Sequence, residues 1–178
     1  MFIESIILHN YRAYRGHNKT SFKPDTKNIF LVAGNNGFGK TTFLTSLVWC
    51  LYGKLMADVD DKFRRDINDA QGYKNYARQS LHKELANAVN AYEVSLEERK
   101  QIVKHGYSSE NEYIKEDSQY YVEIGLTDVF IPSIPCRTIT IRRTYDYFLD
   151  IESVEVLIDG QANELAKEVG YDIFINDF

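Results

Sequence analysis

Between Gly34 and Thr42 the chain reads GNNGFGKTT, and Gly34-x-x-x-x-Gly39-Lys40-Thr41 matches the P-loop pattern in full. That spacing suits one task, the holding of a phosphate chain. Glycines admit backbone angles closed to other residues, so successive N–H groups can turn inward around an anion. A helix opening near Lys40 adds its unpaired N–H groups and its dipole to the same charge. Lys40 is then placed to reach the β- and γ-phosphates as a point charge, and Thr41 to give its hydroxyl to Mg²⁺. By average residue frequencies the pattern arises by chance in roughly one chain in one or two hundred of this length. Its flanks narrow that further.

The flanking residues predict the elements that must position the loop. Ile29 to Ala33 (IFLVA) form a short apolar run, as expected of a strand buried on both faces. Phe43, Leu44, Leu47, Val48 and Leu51 fall at helical spacing, with Gly53 as a natural C-cap. Before the loop, residues 2–8 read as a strand bordered by the polar HNYR. Gly16, Asn18 and Pro24 then predict a hairpin ahead of the next strand. From Leu55 to about Asp117 the chain turns charged and helical. Ala77, Leu81, Leu85, Ala88/Val89, Tyr92 and Leu96 make a stripe that packs on its own domain. Arg64, Arg65, Lys74, Arg78 and Lys83 alternate with acids and read as a solvated face. Strands follow at 120–126, 137–144 and 154–158, and Asp159-Gly160 signals a tight turn. Short connections favour an antiparallel meander. A short helix at 163–169 and the tail YDIFINDF end the chain on apolar residues, which reads like a cut made inside a domain.

Composition bounds the partners. The chain has 178 residues, 44% of them hydrophobic, with a formal net charge of −5. It can bury an ordinary core, but it is not a surface that grips DNA throughout, since that demands phosphate neutralisation by a basic protein. Cys50 and Cys136 form no CxxC pair and read as small buried hydrophobes in a reducing compartment. His9, His17, His82 and His105 share no metal-binding spacing. The opening MFIESIILHNYR lacks the basic start and cleavage site of a signal peptide, and no run reaches the ~18 apolar residues of a membrane helix. A cytoplasmic protein without membrane partners is the expectation.

Asn36-Gly37-Phe38-Gly39-Lys40-Thr41-Thr42 resembles the NGxGKTT loop of the SMC, RecN and RecF group of ABC-type ATPases. Ile6-x-Leu8-x-Asn10-Tyr11-Arg12-x-Tyr14 is similar to the L-x-N-[FY]-[RK]-x-[FY] opening of those heads. The meander, the Asp159-Gly160 hairpin and Tyr171-x-x-Phe174-Ile175-Asn176 look like double-strand-break repair heads, and closer still like the DNA sulfur modification protein DndD and its relatives. The resemblance implies an α/β P-loop NTPase, the N-terminal lobe of an ABC-type head with an antiparallel β-subdomain. Residues 1–54 and 118–178 would form the nucleotide-binding lobe and 55–117 a helical insert at one edge. It implies ATP and Mg²⁺ as cofactors, held by Gly34, Asn35, Asn36, Gly37, Phe38 (through its N–H), Gly39, Lys40, Thr41 and Thr42. Thr41 meets the metal, and Arg12 lies beside the phosphates. The implied partners are the chain's own C-terminal ATPase half, a second head in an ATP-sandwiched dimer, DNA, and a nuclease or modification-complex subunit.

Hydrolysis in such heads also needs an apolar strand ending in Asp-Glu and an LSGG-like signature. Val154-Glu-Val-Leu-Ile-Asp159 is interrupted by Glu155 and runs into Gly160, and Tyr147-Phe-Leu-Asp150 is followed by Ile151. No LSGG-like segment exists in the chain. The expectation is a nucleotide-binding piece with no catalytic residue of its own, completed by the C-terminal half. Two other classes stay open: a scaffold that binds nucleotide only to dimerise, and a small P-loop kinase or GTPase. The second needs a lid or an NKxD motif, and neither is found.

Overall fold

The computed structural model describes residues 1–23, 29–90, 118–129 and 138–163. The insert beyond residue 90, Cys136, His105, the helix expected from 163 and the YDIFINDF tail lie outside the described residues.

Six strands form one antiparallel sheet in the order β2-β1-β3-β4-β5-β6. They are β1 Phe2–Tyr11, β2 Tyr14–Ser21, β3 Gln119–Thr127, β4 Thr138–Asp146, β5 Ile151–Ile158 and β6 Gln161–Ala162. The period-2 pattern places Ile6 and Leu8 of β1 on one face with Tyr120, Val122 and Ile124 of β3 and Ile139 and Ile141 of β4. The meander expected from the later strands is therefore present. Asp159 (φ 48°) and Gly160 (φ 79°) make the two-residue turn into β6, the left-handed pair that matches strand twist.

Helix α1, Lys40–Tyr52, packs across the buried face, with Gly53 (φ 50°) ending it as expected through an N–H bond to Trp49 O. A side chain at Gly53 would collide with the guanidinium of Arg143, whose Nη1 lies 2.3 Å from where a Cβ would stand. A 3₁₀ turn, Gly53–Leu55, leads to α2 Met56–Val59, α3 Asp61–Asp69 and α4 Tyr73–Arg78. Residues 83–90 are helical again. Trp49, Tyr11 and Tyr120 form the aromatic centre, with ring centroids 5.1–5.6 Å apart.

Four local expectations change. First, β1 runs on to Tyr11 and its hairpin turns at Arg12-Ala13, so Gly16 and Asn18 fall inside β2. The side chain of Asn10 makes this possible: its Oδ1 accepts the Gly16 N–H (2.8 Å) at a bulge in β1. Second, the stripe from Ala77 to Val89 is buried at Ala77, Leu81, Leu85 and Val89, with Ala88 exposed, but it is not one helix. The chain breaks at 79–82 to pair with the end of β1, through Arg12 N–H to Ser80 O and His82 N–H to Asn10 O. Those residues join the same core as the sheet and α1. Third, Arg78 is half-buried, pairs with Asp150 and lies over the Tyr147 ring, so this cation is structural, whereas Lys74 pairs with Asp150 from the solvated face expected of it.

The fourth change is the largest. Residues 29–33 have no regular structure and no sheet partner among the described residues, and Leu31 is 90% exposed. A strand buried on both faces needs neighbours on each side and layers above and below. Among the described residues the run has neither.

Candidate functional site

The loop 34–39 leads straight into the first turn of α1. Gly37 (φ 87°) and Gly39 (φ 85°) occupy the left-handed region, where only glycine is at ease. Gly39 is the N-cap of α1, so the free N–H groups of that first turn open at the loop. The Phe38 N–H points back to Asn35 O at 3.4 Å, closing the loop on itself, while its ring is 75% exposed and meets no phosphate role. Lys40 arches over the loop, its Nζ donating to Gly34 O (2.5 Å) and Asn35 O (2.7 Å). The ammonium group thus sits across the mouth of the loop, and Thr41 next to it is exposed. Ammonium, hydroxyl and first-turn amides lie together on solvent, a set whose chemistry fits a polyphosphate with its Mg²⁺.

Helix α1 holds the loop because its other end is locked. Trp49 Nε1 donates to Tyr73 Oη (3.0 Å), and Tyr73 donates to Glu152 (2.5 Å). Glu152 pairs with buried Arg143, which donates from Nε to Cys50 O (3.0 Å). This closed circuit joins α1 to β4, β5 and the start of α4. The buried face of α1 is Thr45, Ser46, Trp49 and Cys50, whereas Leu44 is exposed and Phe43, Leu47, Val48 and Leu51 are half-buried. The expected stripe thus packs only partly on the core, Leu44 excepted, while small residues and one indole fill the fully buried side of α1. Burial pushes the Cys50 thiol up to about 12, which keeps it neutral and inert.

Arg12 occupies the hairpin turn with φ 49°. Its Nε donates to Ser80 Oγ (3.2 Å), and its guanidinium lies 4.8 Å over the Tyr76 ring. It borders a cleft with Asp66, Asp69, Tyr76 and Gln79. The two carboxylates repel anions, so the cleft does not suit a phosphate. The turn nevertheless borders the loop: Tyr14, two residues on, donates from its hydroxyl to Gly39 O at 3.3 Å. Sequence reasoning gave Tyr14 no role, and only its place in the opening pattern marked it.

The AAA domain family matches residues 5–164. The chain belongs to that family. This membership makes the chain a nucleotide-binding, ATPase-type domain, and the match spans the loop, α1, the insert and the meander. No curated protein matches the chain. No helix among the described residues is long and apolar enough to cross a membrane. Val154–Ile158 lies in β5 and ends in the Asp159-Gly160 turn, so this apolar strand feeds a hairpin and not a metal-binding carboxylate pair.

Proposed function

We propose that the chain binds ATP with Mg²⁺ at Gly34–Thr42 and forms the N-terminal part of an SMC-like ATPase head that works on DNA. The observation that carries this reading is the Lys40 ammonium poised over a loop of left-handed glycines at the first turn of α1. In this reading Lys40 neutralises the β- and γ-phosphates, Thr41 and Thr42 give hydroxyls, and the N–H groups of Gly37, Gly39, Lys40 and Thr41 line the cradle, the Phe38 N–H being taken by Asn35 O. Asn35 and Asn36 flank it, with Asn36 facing the γ-phosphate, whereas Arg12, expected beside the phosphates, is held by Ser80 and Tyr76 and only anchors the neighbouring turn. The bound nucleotide supplies the scissile phosphoanhydride. The chain's own residues bind and orient it, and the carboxylates for hydrolysis come from a C-terminal half.

The exposed apolar run Ile29–Val32 beside the loop and the outward Leu44 support completion by further strands. A helix apolar on two sides is normally covered on both. The same reading pairs two heads across ATP and assigns the assembly to DNA repair, or to DNA modification and phage defence with a nuclease or modification-complex subunit, in the cytoplasm.

Calorimetry with Mg-ATP tests the site. Lys40→Ala should weaken binding at least about tenfold, as expected for loss of a charge-assisted contact to phosphate. Equal affinity in both proteins would sink the assignment. The wild-type chain should hydrolyse ATP at a negligible rate, since phosphoryl transfer needs metal, water and charge placed together. A robust rate abolished by Lys40→Ala would contradict completion by another half.

A further inference from the structure

We infer that Tyr14 is a positioning residue for the phosphate loop, fixing the Gly39–Lys40 peptide so that its N–H faces the anion. This rests on the reading of Gly34–Thr42 as a phosphate cradle.

The argument starts from one carbonyl. Gly39 O accepts the Phe43 N–H at 2.8 Å, the first bond of α1, and also the Tyr14 hydroxyl at 3.3 Å. An oxygen has two lone pairs, and both are engaged. The peptide group is planar and trans, so its C=O and N–H point in opposite directions. A carbonyl pinned between Tyr14 and the helix interior therefore holds the Lys40 N–H on the far side, toward the loop. Gly39 alone would not do this, because glycine in the left-handed region has the widest freedom to flip.

The ring contributes as well. A Cβ at Gly39 would stand 3.2 Å from the Tyr14 Cε2 and hydroxyl oxygen, so phenol and loop are in close contact. Burial there raises the phenol above its ordinary pKa, so the neutral donor form persists further into alkaline solution. The turn that carries Tyr14 is itself clamped from behind. Arg12 N–H donates to Ser80 O (2.7 Å), its Nε to Ser80 Oγ, and its guanidinium covers Tyr76. The insert thus anchors the turn, and the turn orients the loop.

Two readouts on Tyr14→Phe and Tyr14→Ala decide it. Hydrogen exchange of the Phe43 amide, which donates to the same Gly39 carbonyl, should speed up in nucleotide-free protein in both variants, more in Tyr14→Ala. Mg-ATP affinity should fall about fivefold in Tyr14→Phe, the loss of one hydrogen bond, and further in Tyr14→Ala. The Phe variant should melt with the wild type when no nucleotide is present, because the packing ring is kept. Wild-type exchange of the Phe43 amide in Tyr14→Phe overturns the proposal. So does wild-type affinity, or an affinity loss matched by an equal loss of nucleotide-free stability. If the wild-type chain takes up no nucleotide, the ATP reading falls by itself, and the exchange rates alone then decide the role of Tyr14.

Discussion

The two sides of the P-loop are both apolar, yet they meet opposite fates. On the C-terminal side, Trp49 and Cys50 of α1 are completely buried between Tyr11, Tyr120, Val122 and Ile141. On the N-terminal side, Ile29 and Leu31 stand in solvent at 85% and 90% exposure, with Phe30 touching only the edge of Phe22 among the described ring contacts. Hydrophobicity states that a residue gains by being covered, by roughly 25 cal/mol per Å². It does not state what does the covering. The helix finds its cover in a sheet built from strands close by, and the 29–33 run finds none in the described residues.

Trp49→Ala attacks the covered side and should show the largest effect. Removing a buried indole costs about 3–5 kcal/mol, and here it also takes away the N–H that the Tyr73 hydroxyl accepts. Urea unfolding should show the midpoint collapse, and a loss below 1 kcal/mol would mean that α1 is not held as described. Next comes Glu152→Ala, which leaves Arg143 charged and buried at 4% exposure. We expect a loss of about 3 kcal/mol, and Arg143→Met combined with Glu152→Ala should restore part of it in a double-mutant cycle.

Cys50 sharpens the comparison by chemistry. With Cys136 replaced by serine, the native protein at pH 8 should label with iodoacetamide orders of magnitude more slowly than in urea. The thiol's folded pKa is raised, so the advantage of its buried neutral form is whole below the ordinary thiol value. It erodes as pH rises from there toward about 12. Rapid labelling of the native protein would show that α1 opens from the sheet. The smallest effect belongs to the uncovered side: Leu31→Asp should change stability by no more than about 0.5 kcal/mol in this chain. A much larger loss would mean that the run is buried after all.

Much of this was legible in the residues. Gly34, Gly37, Gly39 and Lys40 announced the loop, because their spacing answers to backbone geometry within a few residues. Gly53 and Asp159-Gly160 ended their elements as expected for the same reason. The less legible features were those settled between distant segments. The hairpin turned early because the Asn10 side chain reaches Gly16 across the bulge. The insert stripe broke because Ser80 and His82 found partners in the hairpin turn and at the end of β1. Tyr14 carried no signal of its own, since nothing near it in sequence shows that Gly39 will arrive beside its hydroxyl.

The sequence by itself therefore determined the phosphate loop, the helix that follows it and the antiparallel meander. Each depends on torsional preferences or on alternation along a single stretch. Only the tertiary structure decided which side of α1 is buried and left Ile29–Val32 outside the sheet. It also brought Arg12 to the insert and Tyr14 to the loop. Burial is a property of neighbours, and neighbours far apart in the chain meet only when the whole sheet has formed.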